Sequence, residues 1–377
     1  MKIVFVSNYL NHLQIPLCEE FIRLCDEFYY ITTESDGKQG FQRNTEREYV
    51  IHYDFDSERE NAIKQIKDAD IVIMGACPNE LVEFRVNTKK PTFMYTERFL
   101  KKGIWRRFVP TTRKKIYDRV LKYKNYDNFY VLSASAYLSY ELSLLGFPVS
   151  KVFKWGYFPR FIEYQDIEGV ISNKKKHSIL WAGRFLWLKH PEYAVELAKK
   201  LRDCGLDFEI NMLGDGECFS DIKKLIACYN LQDYVQLIGG QNAEEVRKYM
   251  ENSEVFLFTS NRKEGWGAVL NEAMNSGCAV VASNMAGSVP FLINDGVNGA
   301  VFKSGNVSEL YQKVKKLLED DKLRKTYGIN AYESIKNNWS PKAATERLLE
   351  LCGSDLSCRN SLLVEGVCST ADVVKER

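Results

Sequence analysis

Two glutamates, Glu264 and Glu272, stand eight positions apart in EGWGAVLNE, on either side of a Gly-Trp-Gly turn that follows the apolar run EVFLFTS. The pattern places Glu264 in a loop past a strand and Glu272 one turn into a helix that Gly267 opens. The free backbone N–H groups of a first helical turn suit an anion such as a diphosphate. Carboxylates aimed at that anion would repel it, but carboxylates at its flanks can accept hydrogen bonds from hydroxyls, bidentate where these are vicinal. A ligand that is anionic in the middle and hydroxylated at both ends satisfies both conditions, as a nucleotide sugar does, with Glu272 on the ribose and Glu264 on the sugar. Charge balance requires cations, and WAGRFLWLKHP supplies Arg184 and Lys189 just past another strand. Each alone reads as a surface charge on a loop; beside the glutamate pair they can reach a diphosphate.

Other chemistries find less support. No GxxxxGK[ST] occurs, and the first strand runs into SNYLNH without a glycine, so neither a P-loop nor a dinucleotide fingerprint is present there. Gly214 and Gly216 of the Gly-Asp-Gly triplet follow a strand without the third glycine of that fingerprint, which leaves a weak signal. The Asp-x-Asp triplets at 54–56 and 68–70 give little reason to expect a metal. Ten cysteines are spread without a C-x-x-C pair, many in apolar runs, as reduced core residues are, and point to a reducing compartment.

The elements that must position these residues alternate along the chain, short apolar runs with amphipathic helical patterns, the signature of α/β units on parallel sheets. Strands are expected at 2–6, 28–32, 70–76, 91–95 and 128–134, then at 178–183, 208–214, 234–239, 254–260 and 278–283. The mixed-polarity segment 159–176 reads as a linker. The fold class is therefore α/β, with two doubly wound domains in series and a cleft between them; open α/β sheets bind ligands at the carboxyl ends of their strands. At 377 residues the chain exceeds what one core serves.

With a net charge of +2 the chain is a poor candidate for wholesale nucleic-acid binding. Between Arg98 and Lys124, however, eleven Lys or Arg accompany a single acid, Asp118, interleaved with Phe99, Ile104, Trp105, Phe108 and Val109. Such a stretch suits an anionic membrane surface or an anionic substrate, and an ordinary solvated helix face fits it equally. No run reaches the eighteen or so apolar residues of a membrane span, and the amino-terminal run is too short for a signal peptide. A cytoplasmic protein is expected, at most peripheral on the inner face of the cell membrane.

From Trp181 to Phe302 the chain resembles the carboxyl-terminal domain of family 4 glycosyltransferases of the GT-B fold. The likeness runs through G-R-x(4)-K, G-x-G, V-x-L-x-G, E-G-x-G-x(4)-E-A-M-x-S-G, A-G and N-G, in order and at the family's spacing. It implies two Rossmann-like domains facing a central cleft, an acceptor domain over 1–160 and a donor domain over 177–337. The last helix, about 341–352, is expected back on the first domain, and 353–377 as a polar, loosely ordered tail. The implied activity is retaining transfer of a sugar from a UDP- or GDP-sugar co-substrate to a glycan or lipid-diphosphate-linked acceptor, without a metal or other cofactor. Arg184 and Lys189 are implied to neutralise the diphosphate, Glu264 to contact the donor sugar and Glu272 the ribose. Gly265, Trp266, Gly267 and Ala268 are implied to line the donor, with Gly214 and Gly216 nearby.

In the first half, SNYLNHLQIPLCEEF and MYTERFLKKG are similar to transferases that build capsular and other bacterial surface polysaccharides. The Gly-Gly loop and the histidine after the fourth strand, common in the family, are replaced here, which makes Glu97 and His12 the candidates. Arg98 beside Glu97 offers it a structural ion pair, and His12 equally caps or precedes the first helix. A sugar-nucleotide epimerase, a phosphorylase or a non-catalytic sugar-nucleotide-binding subunit are rivals on the same fold.

Overall fold

Strands such as KIVFVS and IVIM carry no polar face, so both of their sides must be covered, and parallel sheets with crossover helices achieve this. A computed structural model describes residues 1–34, 47–353 and 363–376. The chain divides into two compact units, Met1–Arg160 with Asn338–Arg377, and Phe161–Asn337.

The amino-terminal unit holds seven parallel strands: β1 (Lys2–Ser7), β2 (Glu27–Thr32), β3 (Val50–His52), β4 (Ile71–Met74), β5 (Thr92–Thr96), β6 (Phe129–Ser133) and β7 (Val152–Lys154). Their order is β3-β2-β1-β4-β5-β6-β7. In the interior strand β1, Val4 stands between Tyr29 and Val72. Helix Ile15–Leu24 begins with Pro16 in its first turn, where a missing N–H costs nothing. Fully buried Arg85 donates to the carbonyls of Ile66, Ala69, Asp70 and Pro91, tying the end of helix Asp56–Asp68 to the starts of β4 and β5. Burial lowers its pKa to about 10.

Six parallel strands form the second unit: β8 (Lys175–Ala182), β9 (Glu209–Leu213), β10 (Val235–Gly239), β11 (Ser253–Phe258), β12 (Ala279–Ser283) and β13 (Ala300–Phe302). They stand in the order β10-β9-β8-β11-β12-β13. From β8 the chain proceeds to β9 on one side and later returns to β11 on the other, so the loops after β8 and β11 part at a topological switch point. One face packs Ile179, Trp181, Ile210, Met212, Val255 and Leu257 against helix Glu192–Asp203 and its neighbours.

Three expectations are corrected. Segment 159–176, read as a linker, belongs to the second unit from Phe161 on: it includes helix Ile167–Ser172, capped by Asp166, and the first residues of β8. Ahead of that helix, Asn275 grips the backbone of Ile162 in both directions (2.8 and 2.9 Å). Nor is the tail loose where it is described, because Thr370 bridges Phe153 antiparallel at the β7 edge, with Val367, Cys368 and Ala371 buried. Finally, the helix bearing Glu272 spans Val269–Asn275, and Gly267 lies in the loop before it at φ +84°. A Cβ at Gly267 would meet the Phe258 ring at 2.4 Å.

Among the described residues no helix is long and apolar enough to cross a membrane. The described cysteines are all free thiols.

Candidate functional site

At the switch point of the second unit, the loop after β8 carries Lys189 and the loop after β11 carries Glu264, and the two side chains form an ion pair. Ser260 Oγ donates to the same carboxylate oxygen, Oε2, at 3.2 Å. Both partners are mostly buried, at 16% and 14% exposure, so water screens the pair poorly.

Several hydrogen bonds hold these loops together. Trp181 Nε1 donates to Thr259 Oγ1 (2.9 Å), which donates to the Lys189 carbonyl (2.5 Å), and Asn261 N donates to the Leu188 carbonyl (2.9 Å). His190 follows Lys189 in the left-handed region, at φ 50°, an uncommon conformation for a residue with a side chain. Its ring stacks on Tyr193 and is held from both ends. Asn261 Oδ1 accepts from Lys263 N, so its amide nitrogen faces His190 Nε2 at 2.9 Å. Nε2 therefore accepts, and the proton sits on Nδ1, 2.6 Å from Glu192 Oε1. His190, Thr259, Ser260 and Asn261 were missed in the sequence. The signal for His190 was its place directly after Lys189 in LKHP, and for the others their place just past β11.

Glu272 sits in the first turn of helix Val269–Asn275, and among the described residues nothing donates to its carboxylate. Burial raises its pKa and Arg247 opposes the rise. Arg247, also unforeseen, donates to the Glu272 carbonyl (3.0 Å), Asn275 Oδ1 (3.1 Å) and Ser276 Oγ (2.8 Å), fastening the far end of that helix. Trp266 is buried and its Nε1 donates to Asn271 Oδ1 at 2.9 Å, while Ser288 Oγ donates to its carbonyl. Its ring is thus core; Gly265 beside it is buried as well, while Gly267 and Ala268 are half-buried. Arg184, in the loop after β8, is exposed, and no described residue pairs with its guanidinium.

Gly214 and Gly216 have a structural reason. Their loop lies against the loop after β8, through Gly183 N to the Leu213 carbonyl (3.0 Å), Phe185 N to Asp215 (2.9 Å) and Cys218 N to Phe185 (2.9 Å). A Cβ on Gly214, at φ +126°, would fall 1.9 Å from the Gly183 carbonyl oxygen.

In the amino-terminal unit an open depression of about 1480 Å³ lies past the ends of β1, β4 and β5. Glu97 lines it. Its partner is not Arg98. Consecutive residues past a strand point to opposite sides, so Arg98 turns into the core, where it pairs with Glu141 (2.7 Å) and Glu376 and lies over the Tyr137 ring. Glu97 instead pairs with Lys101 and accepts from the Tyr157 hydroxyl at 3.0 Å. Burial, then the nearby Glu97 charge, pushes the Tyr157 pKa well up, which keeps its proton in place. His12 is exposed on the loop before helix Ile15–Leu24 and is not part of that lining. The structure thus brings Lys189 and Glu264 into contact within one unit and places Glu97 in the other, without His12. No three His, Cys, Asp or Glu side chains converge among the described residues.

The family described as glycosyl transferases group 1 matches residues 165–334. An uncharacterized glycosyltransferase, MJ1178 of Methanocaldococcus jannaschii, is 30% identical over 161 residues, 42% of this chain and 44% of that one. The chain thus spans less than half the length of this relative. The capsular polysaccharide biosynthesis glycosyltransferase CapM of Staphylococcus aureus is 24% identical over 375 residues, 89% of this chain and 92% of that one. Among solved structures, Anabaena Alr3699/HepE in complex with UDP matches with a TM-score of 0.69 at 15% identity, covering 94% of this chain and 100% of that one.

Proposed function

We propose, from the premise that residues 165–334 belong to the glycosyl transferases group 1 family, that this chain is a glycosyltransferase using a nucleoside-diphosphate sugar. It transfers the sugar with retention to a glycan or lipid-linked acceptor, in the making of a surface polysaccharide. The observation that carries this reading is the Lys189–Glu264 pair at the switch point, with exposed Arg184 on the same loop as Lys189. Lys189 and Arg184 supply the positive charge that a leaving diphosphate needs, and the transfer runs without a metal. Glu264, released by Lys189, accepts from hydroxyls of the sugar, and Glu272, to which no described residue donates, accepts from the ribose. Attack comes from the face of the leaving group, whose diphosphate takes the acceptor proton. Glu97 faces the acceptor in the amino-terminal unit. The helix after Gly267 is too short for its dipole to dominate, so the two cations bear most of this role. UDP in the HepE crystals and the polysaccharide in the CapM name favour UDP and a glycan as first choices.

The test is transfer from labelled UDP- and GDP-sugars to lipid-linked glycan acceptors, with a chelator present. Label in the acceptor at the donor's anomeric configuration is expected. Epimerised nucleotide sugar without transfer would assign an epimerase, and tight donor binding with no turnover on any acceptor a binding subunit.

A further inference from the structure

The segment from Lys101 to Arg119 has two sides. Lys102, Arg106, Lys114 and Lys115 line the open depression, whereas Trp105, Arg107, Phe108, Arg113 and Tyr117 do not. The aromatic members of the second set are turned to solvent, with Trp105 60%, Phe108 68% and Tyr117 55% exposed. Trp105 and Phe108 are three apart on the 3₁₀ turn Ile104–Phe108, where such residues eclipse one another. On helix Pro110–Arg119, Arg113 and Tyr117 are four apart and share a face, while Ile116 is buried. The guanidinium groups of Arg106 and Arg107 lie over the rings of Trp105 and Phe108 at 5.4 and 4.7 Å.

Single exposed aromatics need no explanation, but a group so close in sequence, on adjoining turns and ringed by cations, does. Two features select the occupant. The stretch holds only one acid, Asp118, and that side chain lies 3.8 Å from Lys114, so the outer charge is of one sign. The apolar groups are aromatics beside arginines, which suit the boundary between headgroups and acyl chains, where rings enter and cations reach phosphate. We propose that the outer side of residues 102–117 docks on a bilayer containing anionic phospholipid. Trp105, Phe108 and Tyr117 enter the headgroup layer while Arg107 and Arg113 hold lipid phosphates. The depression lined by Arg106, Lys114 and Lys115 then adjoins the membrane, where a lipid-linked acceptor would be found. The docking itself does not depend on the sugar chemistry.

The experiment is co-sedimentation of the full chain, without any nucleotide sugar, with vesicles of phosphatidylcholine alone or with roughly a third phosphatidylglycerol. Binding to the anionic vesicles at low salt is expected, at least about tenfold stronger than to neutral ones and fading as salt rises. Trp105→Ala with Phe108→Ala, and separately Arg107→Glu with Arg113→Glu, should each weaken partition by about tenfold or more. These side chains pack on little, so far-UV circular dichroism and thermal midpoint should stay as in the parent chain. Equal partition to both vesicles, no partition at low salt, or parental partition by either folded double variant would overturn the proposal. Absence of sugar transfer in the parent chain with docking intact would instead count against the enzymatic reading.

Discussion

At the residue scale, the Lys189–Glu264 ion pair means that both groups are occupied by each other before any donor arrives. On the proposed function, donor binding exchanges this charge pair for two contacts, phosphate on Lys189 and hydroxyls on Glu264. Glu264→Gln frees the lysine while removing the charged acceptor. It should therefore bind the nucleoside diphosphate product several-fold more tightly while turnover falls by about tenfold or more, the loss expected when a charged hydrogen bond is made neutral. Calorimetry with UDP and GDP beside steady-state rates decides; weaker diphosphate binding would show that Lys189 does not meet phosphate. Glu272 gives a second prediction because its pKa is raised by burial. A carboxyl raised on folding favours the folded state at low pH and loses that contribution as pH climbs through its folded value, so at neutral pH the ionised group opposes folding. Glu272→Gln should unfold at a higher temperature than the parent at pH 7, with the gain shrinking as pH falls toward 4, yet bind nucleotide sugar about tenfold or more weakly. Thermal melts over pH with donor titrations check this, and a gain that grows on acidification would reverse the sign argued.

At the element scale, the Gly-Asp-Gly triplet serves the contact between the loops after β8 and β9. Gly214→Ala drives a methyl group into the Gly183 carbonyl at a φ few other residues adopt, and should cost about 2 kcal/mol or more. Gly240→Ala has open space and is expected within about 0.5 kcal/mol of the parent. Equal denaturation midpoints for the two would remove the steric account. Why some elements were legible and others not follows from the same local physics. The buried strands β1, β4, β6, β8 and β11 announce themselves as apolar runs, and the pattern around the E-x(7)-E pair put Glu264 in the loop past a strand and Glu272 in a helix turn, where both stand. Strands β3, β7 and β13 have three residues each, too few to print a period. The ion pair that adjacency offers Arg98 with Glu97 does not form, because the two side chains face opposite ways, and the partner Glu141 is 43 residues distant. His190 escaped because one of the two side chains that hold it, Asn261, is 71 residues away and only folding brings it near.

At the scale of the whole molecule, the tail is where composition misled most. Its order comes from backbone pairing on an edge: Cys368 N to the Lys154 carbonyl, Lys154 N to Ser369 and Ala371 N to Val152, each 2.8 Å. Ser139 Oγ also donates to the Ala371 carbonyl at 3.2 Å. Polar residues serve that purpose as well as apolar ones, so no hydrophobic pattern foretold it. The tail closes β7, which would otherwise present unpaired N–H and C=O groups, and brings Glu376 to the buried Arg98. Removing residues 363–377 should therefore do two things at once. Loss of the backbone bonds costs on the order of 3 kcal/mol, lowering the thermal midpoint of the amino-terminal unit by roughly 5–10 °C. The opened edge should also pair with other chains, seen as concentration-dependent association in sedimentation. Donor affinity should hold, since Lys189, Glu264 and Glu272 belong to the other unit. A truncated chain that melts with the parent and stays at the parent's association state would show that the edge contacts contribute little. If donor binding falls together with the midpoint, the two units do not fold independently, and the loss spreads from the sheet edge to the donor site.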